Sequence, residues 1–270
     1  MTPDPARAPR VLVFDSGLGG LTVFASIAAA RPDADLTYVA DDAFFPYGAL
    51  TEAALVARVT DLMDELVEAL SPDLVVIACN TASTLVLAPL RERHPALPFV
   101  GTVPAIKPAA LASRSKLISV VATPGTVARD YTHALIREFA GDCDVTLVGA
   151  ARLAGLAERS LRGEHVADAE IASQIAPAFV ERAGRRTDRI VLACTHFPLL
   201  VERFAALAPW RVEFVDPAPA IARRVDALLG PAGTVRRSGP TPAIFTSGEA
   251  APAALRKALL RFGLTFSSLP

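Results

Sequence analysis

The chain carries three cysteines, Cys79, Cys143 and Cys194. Two of them stand in matching surroundings. Segments 75–83 (VVIACNTAS) and 190–198 (IVLACTHFP) each run from an apolar stretch into Ala-Cys and then into hydroxyl or amide side chains. A free cysteine is commonly a small buried hydrophobe. Two in the same context, each at the end of an apolar run, point instead to a pair of working thiols. Free cysteine has a pKa of about 8.5, and the N-terminus of a following helix or a nearby imidazolium favours the thiolate. Opposed thiols suit inversion at carbon. One thiolate removes a proton from one face, the other thiol returns a proton to the opposite face, and the roles exchange in reverse. Cys143, in Gly141-Asp142-Cys143-Asp144, lacks this context and is expected to be idle.

Other residues could serve such chemistry. His196, close to Cys194, could partner that thiol or supply a proton, or could be a hydrogen-bonded structural histidine. Asp15-Ser16-Gly17-Leu18-Gly19-Gly20 follows an apolar run. Its glycines permit a tight turn, the next helix offers free N–H groups to an anion, and Asp15 could hold an ammonium or orient a thiol. Phe45-Pro46-Tyr47-Gly48 reads as a turn presenting backbone N–H groups. Ser16, Asn80, Thr81 and Thr195 are neutral donors able to steady a carboxylate as a carbanion develops beside it.

Competing chemistries fit less of the pattern. A dinucleotide loop could use Asp41 on a ribose, but G-x-G-x-x-G from Gly17 requires glycine at position 22, where Thr22 stands. A zinc site from Cys79, Cys194 and His196 lacks C-x-x-C and H-x-x-x-H spacing, so no metal is expected. A Cys-His hydrolase uses one cysteine and leaves the other unexplained. No lysine lies in a recognisable pyridoxal-phosphate motif, and the thiols are expected to act without a cofactor.

The elements that must position these residues alternate. Strand patterns are read at 11–14, 36–39, 74–78, 117–122, 144–148, 190–193 and 211–215, several of them continuous apolar runs typical of parallel strands covered on both faces. Between them Leu55, Val59, Leu62, Leu66 and Leu70 recur at helical spacing before Ser71-Pro72, and Ile221, Val225 and Leu228 before Gly230. This is an α/β fold with parallel-rich sheets flanked by helices. The two cysteines are separated by about one small domain. Two pseudosymmetric domains are expected, with an active site in the interdomain cleft beyond the carboxyl ends of the strands. The stretch after Gly230 is proline-rich and carries no motif.

Composition sets limits. Hydrophobic residues make up 52% of the 270 residues and charged residues 20%, which excludes disorder. Lys and Arg number 27 against 28 Asp and Glu, so no basic face for nucleic acid is expected. The arginines between 182 and 189 read as a solvated loop. The N-terminal segment lacks the apolar core of a signal peptide, and no apolar run reaches the ~20 residues of a membrane span. A cytoplasmic protein with free thiols is expected.

Taken together, the motifs resemble the glutamate racemase family. Phe14-Asp15-Ser16-Gly17-Leu18-Gly19-Gly20-Leu21-Thr22-Val23 is similar to its opening signature. Pro46-Tyr47-Gly48, Ala78-Cys79-Asn80-Thr81-Ala82-Ser83 and Cys194-Thr195-His196-Phe197-Pro198-Leu199-Leu200 follow in the family's order. Gly101-Thr102-Val103-Pro104-Ala105-Ile106-Lys107-Pro108-Ala109, Ala122-Thr123-Pro124-Gly125-Thr126 and Tyr131-Thr132-His133 resemble its proteobacterial branch. The resemblance implies one domain of residues 1–100 plus 214–270 and a second of 101–213. It implies cofactor-independent interconversion of L- and D-glutamate, supplying D-glutamate for peptidoglycan. Cys79 would deprotonate the D-isomer and Cys194 the L-isomer, with Asp15 and His196 as supporting acid/base residues. Asp15, Ser16, Tyr47, Gly48, Asn80, Thr81, Thr123, Thr126, Thr195 and His196 would contact substrate. Members of that branch can need a nucleotide-linked cell-wall precursor as activator. Monomer and homodimer both fit.

One departure stands out. The family carries a glutamate after the strand at 144–148. Here the stretch is Gly149-Ala150-Ala151-Arg152, and the next glutamate is Glu158. A related racemase or isomerase for aspartate, a hydantoin or maleate, or a non-catalytic binding relative with Arg152 in place of the acid, are the alternatives.

Overall fold

The computed structural model describes residues 7–234 and 241–268. The chain opens with β1 (Arg10–Asp15), α1 (Leu21–Ala30), β2 (Asp35–Ala40), α2 (Glu52–Leu70), β3 (Leu74–Ile77), α3 (Asn80–Arg93) and β4 (Phe99–Gly101). It continues with α4 (Ile106–Ala112), β5 (Leu117–Ala122), α5 (Pro124–Val127), α6 (Asp130–Phe139), β6 (Asp144–Gly149), α7 (Leu153–Leu161) and α8 (Asp168–Ile175). A two-residue-per-strand hairpin of β7 (Glu181–Arg182) and β8 (Arg185–Arg186) precedes β9 (Arg189–Ala193), α9 (Val201–Leu207) and β10 (Glu213–Val215). Last come α10 (Ala218–Leu229), β11 (Thr241–Phe245), α11 (Ala253–Arg261) and β12 (Leu264–Ser268). Among the described residues no helix is long and apolar enough to cross a membrane.

The chain forms two compact units, Met1–Thr102 with Ala218–Pro270, and Val103–Pro217. The crossings differ by a few residues from 100 and 214. Thr102 is tied into the first unit, its N–H donating to Ser83 Oγ at 2.9 Å and its hydroxyl to the Ile77 carbonyl at 3.2 Å. β10 pairs with β9, which keeps residues 213–215 in the second unit.

The first unit holds a six-stranded sheet in the order β12-β11-β2-β1-β3-β4, parallel throughout. The second holds a four-stranded sheet, β10-β9-β5-β6, also parallel. β3 and β5 are buried along their whole length, because helices cover both faces of a parallel sheet. Alternation still assigns the faces of the second sheet. Ile118, Val120 and Ala122 pack with Val191, Ala193 and Ile106, Ala109 and Ala110 of α4, while Ser119 points the other way and donates to the Ala178 carbonyl.

Local signals fix the helix ends. Thr51 caps α2, its hydroxyl accepting from the Ala54 N–H. Ser71 at φ 43° ends the same helix in a left-handed turn, as Gly230 at φ 72° ends α10. The apolar stripe of α2, with Leu55, Val59, Leu62 and Leu66 buried, packs into the core with Val75 and Ile77 of β3. Arg182, Arg185 and Arg186 lie in the exposed β7–β8 hairpin rather than in an irregular loop, and Arg189 opens β9.

Candidate active site

Each sheet has a winding reversal beside its first strand, and each cysteine sits at one of these, Cys79 after β3 and Cys194 after β9. In the first unit the chain goes from β1 out to β2 and then returns to lay β3 on β1's other side. In the second it goes from β5 to β6 and then lays β9 on β5's other side. The crevice beyond the strand ends at such a point is where open α/β sheets bind ligands. Phe14 of β1 is level with Ile77 of β3, and Ser16 and Cys79 each follow two residues beyond that pair. Ala122 of β5 is level with Ala193 of β9, and Thr123 and Cys194 each follow directly.

In the first unit Cys79 is the N-cap of α3, 5% exposed. The helix places free N–H groups and the positive end of its dipole next to this residue. Asn80 follows it, 2% exposed, and neither its Nδ2 nor its Oδ1 has a hydrogen-bond partner within the protein. Buried polar atoms in that condition call for a ligand. The turn after β1 is held by the buried Asp15, whose Oδ2 accepts the Gly17 N–H at 3.1 Å, and by Tyr38, whose hydroxyl donates to the Gly17 carbonyl at 2.6 Å. Gly48 lies exposed on a short 3₁₀ turn, Tyr47–Ala49. The Tyr47 side chain is buried and its hydroxyl donates to Asp41 Oδ2 at 2.6 Å. Burial, then the Asp41 carboxylate, then Cys79 push the phenol well above its ordinary pKa. The ring thus serves as an anchor, and a ligand would meet this turn at its backbone. Asp41 also receives Arg58 in a two-point pair, at 2.6 and 3.0 Å. Its lone pairs are committed, which removes the ribose-binding role.

In the second unit Cys194 is 6% exposed, with Sγ 3.9 Å from His196 Nδ1. The other ring nitrogen, Nε2, lies 2.9 Å from Glu158 Oε1. Burial of His196 opposes its charged form. The contacts with Cys194 and the Glu158 carboxylate outweigh burial and raise the imidazole well above 6.5. Thr123 caps the short α5, its Oγ1 3.0 Å from Thr126 Oγ1. Thr132 donates to the Thr126 carbonyl and fixes that turn. Thr195 is buried between the thiol and the imidazole residue in sequence. Cys143 is only partly buried, and burial followed by Asp142 raises its thiol pKa, away from reactivity. Among the described residues no group of three or more His, Cys, Asp or Glu is placed to hold a metal ion.

The sequence profile of the Asp/Glu/Hydantoin racemase family matches residues 21–225. The chain belongs to that family. A glutamate racemase of Brucella anthropi is 57% identical over 221 residues, 82% of this chain and 80% of that protein. One from Mesorhizobium japonicum is 52% identical over 256 residues, 94% of this chain and 97% of that protein. Among solved structures, Escherichia coli glutamate racemase in complex with L-glutamate and the activator UDP-MurNAc-Ala superposes with a TM-score of 0.88 at 39% identity, covering 97% of this chain and 98% of that one.

Within this Asp/Glu racemase fold, the sequence reading passed over an acid that lies beside one of the candidate site residues. Glu158 is the acid that meets His196. The gap at 149–152 pointed to Arg152, but Arg152 is exposed, with its N–H on Gln174 and its guanidinium on Ser173. The signal for Glu158 lay one turn along α7. It stands four residues after the buried Ala154, on the helix's apolar face, where an acid is costly unless paired. The Asp41–Arg58 pair was also missed, since Arg58 lies on the polar side of the α2 stripe.

Proposed function

We infer that this chain is a cofactor-independent glutamate racemase that uses Cys79 and Cys194 as paired acid and base. The observation that carries the reading is the equivalent placement of two buried thiols, each at a winding reversal, in a chain 52% identical to a glutamate racemase across nearly its whole length. For L-glutamate, the Cys194 thiolate takes the α-proton and the Cys79 thiol gives its proton to the opposite face. D-glutamate leaves with the two sulfurs' protonation states exchanged, and the reverse reaction restores them.

The surrounding groups fit that cycle. An imidazolium at His196, held by Glu158, sets a positive charge beside the Cys194 sulfur. The α3 N-terminus does the same for Cys79, with Asp15 in support. Asn80 offers both a donor and an acceptor to substrate. Ser16, Thr81, Thr123, Thr126, Thr195 and the backbone at Tyr47 and Gly48 supply further polar contacts, which stabilise charge as it moves onto the carboxylate. The product D-glutamate would serve peptidoglycan synthesis.

The Escherichia coli relative holds a nucleotide-linked precursor as activator, and the same class of ligand is proposed to activate this chain. Circular dichroism of L- and D-glutamate incubated with the protein tests both points, with L-aspartate and a hydantoin as controls. Signal loss from both glutamate isomers, faster with UDP-MurNAc-L-alanine, supports the reading. Turnover of aspartate alone would redirect it, and a rate indifferent to the nucleotide would remove the activator.

A further inference from the structure

The C-terminal β11–α11–β12 segment lies beyond the residues matched by the family profile, 21–225. The residues that follow β11 nevertheless reach the loop that carries Tyr47 and Gly48. The Thr246 N–H donates to the Ala40 carbonyl at 3.1 Å, continuing the β11–β2 ladder past its end. The Thr246 hydroxyl then works twice, donating to Asp41 Oδ1 at 2.7 Å and accepting the Ala43 N–H at 3.3 Å. Ser247 grips the next acid, its N–H on Asp42 Oδ1 at 2.9 Å and its hydroxyl on Asp42 Oδ2 at 2.7 Å.

The loop needs such support. It consists of two 3₁₀ turns, Asp42–Phe44 and Tyr47–Ala49, whose hydrogen-bond geometry is poor and whose residues are mostly exposed. Its fixed point is Asp41, fully buried, which holds the Tyr47 hydroxyl on one oxygen and Thr246 on the other. Hydrogen bonds to a carboxylate are about twice as strong as neutral ones, and two successive acids are held this way from one dipeptide. From these contacts we propose that Thr246 and Ser247 are positioning residues that set the Tyr47–Gly48 turn for substrate. The C-terminal segment is thereby part of the site's machinery. This rests on the glutamate racemase reading for the substrate that the turn meets.

Three variants test it: Thr246→Val, which keeps shape and loses both hydroxyl bonds, Ser247→Ala, and Thr246→Ser as the conservative control. Hydrogen–deuterium exchange is read for peptides covering 42–50, together with KM and kcat for both glutamate isomers. Thr246→Val and Ser247→Ala should speed exchange at 42–50 by about tenfold, with the rest of the first unit unchanged. KM should rise about fivefold or more for both isomers while kcat stays within about twofold, and Thr246→Ser should match the unmodified protein. Exchange at 42–50 equal to that of the unmodified protein would overturn the proposal. So would acceleration spread evenly over the unit, or a loosened loop with unchanged KM. If the unmodified protein turned over no glutamate, the proposed function would fail, and exchange at 42–50 would still decide whether the clasp orders the loop.

Discussion

His196 Nε2 lies 2.9 Å from Glu158 Oε1, while Nδ1 of the same ring faces Cys194 Sγ at 3.9 Å. The carboxylate and the sulfur both favour imidazolium against the effect of burial, so the pKa lies well above 6.5. Charge on His196 sets a positive group beside the Cys194 sulfur, and deprotonation removes it. Glu158→Gln keeps a hydrogen-bonding side chain but removes the negative charge. The alkaline limb of kcat/KM for L-glutamate should therefore move to lower pH, with a fall of about tenfold or more at neutral pH. The stability effect has the same sign. A raised histidine contributes fully below its unfolded pKa and loses that contribution as pH rises through the folded one, so Glu158→Gln should lose the excess earlier in a pH series of urea midpoints.

The three cysteines should be unequal under substitution. Cys79→Ser and Cys194→Ser should each cut kcat in both directions by about 100-fold or more, because either direction needs one acid and one base. Cys143→Ser should be near neutral, as its thiol is partly exposed and its pKa is raised. Steady-state kinetics with both isomers decide the point, and equal damage from Cys143→Ser would contradict it.

Asn80 separates binding from folding. Its amide atoms are buried without partners within the protein, so Asn80→Ala removes no internal hydrogen bond. The urea midpoint should hold or rise slightly, since an unsatisfied buried amide costs about 1–3 kcal/mol. KM for glutamate should rise by about tenfold or more, read from the same kinetics.

Gly20 is required by close approach rather than by its dihedral angles. A Cβ there would sit 2.8 Å from Asp15 Cβ and 3.0 Å from the Tyr38 hydroxyl. Gly20→Ala should cost about 1–3 kcal/mol through overpacking and lower kcat/KM by displacing Asp15, measured by denaturation and turnover on one preparation.

What the sequence disclosed follows from how local its signals are. Cys79 and Cys194 stood out because each ends a continuous apolar strand, and parallel strands buried on both faces are written as such runs. The α2 stripe and its stop at Ser71 were equally local. β4 is three residues long behind Pro98, and β11 carries Pro242 inside it, so neither shows a strand pattern. Glu158 meets His196 only once α7 packs near the end of β9, and Thr246 meets Asp41 only through the β11–β2 pairing. Those contacts join residues far apart in the chain, and no spacing rule reports them. Arg152 shows the opposite error. A missing acid at one position drew attention to its replacement, while the structure supplies the acid from the following helix. Arg152→Ala should leave kcat/KM within about twofold.

The central claim is tested most directly by incubating the protein with L-glutamate in D₂O, following the Cα proton by NMR and optical rotation together, with and without UDP-MurNAc-L-alanine. Racemisation by two opposed thiols predicts that rotation decays to zero, that the D-glutamate first formed carries deuterium at Cα, and that the L-glutamate remaining at early times keeps its proton. Exchange without loss of rotation, or no exchange in either condition, would contradict it.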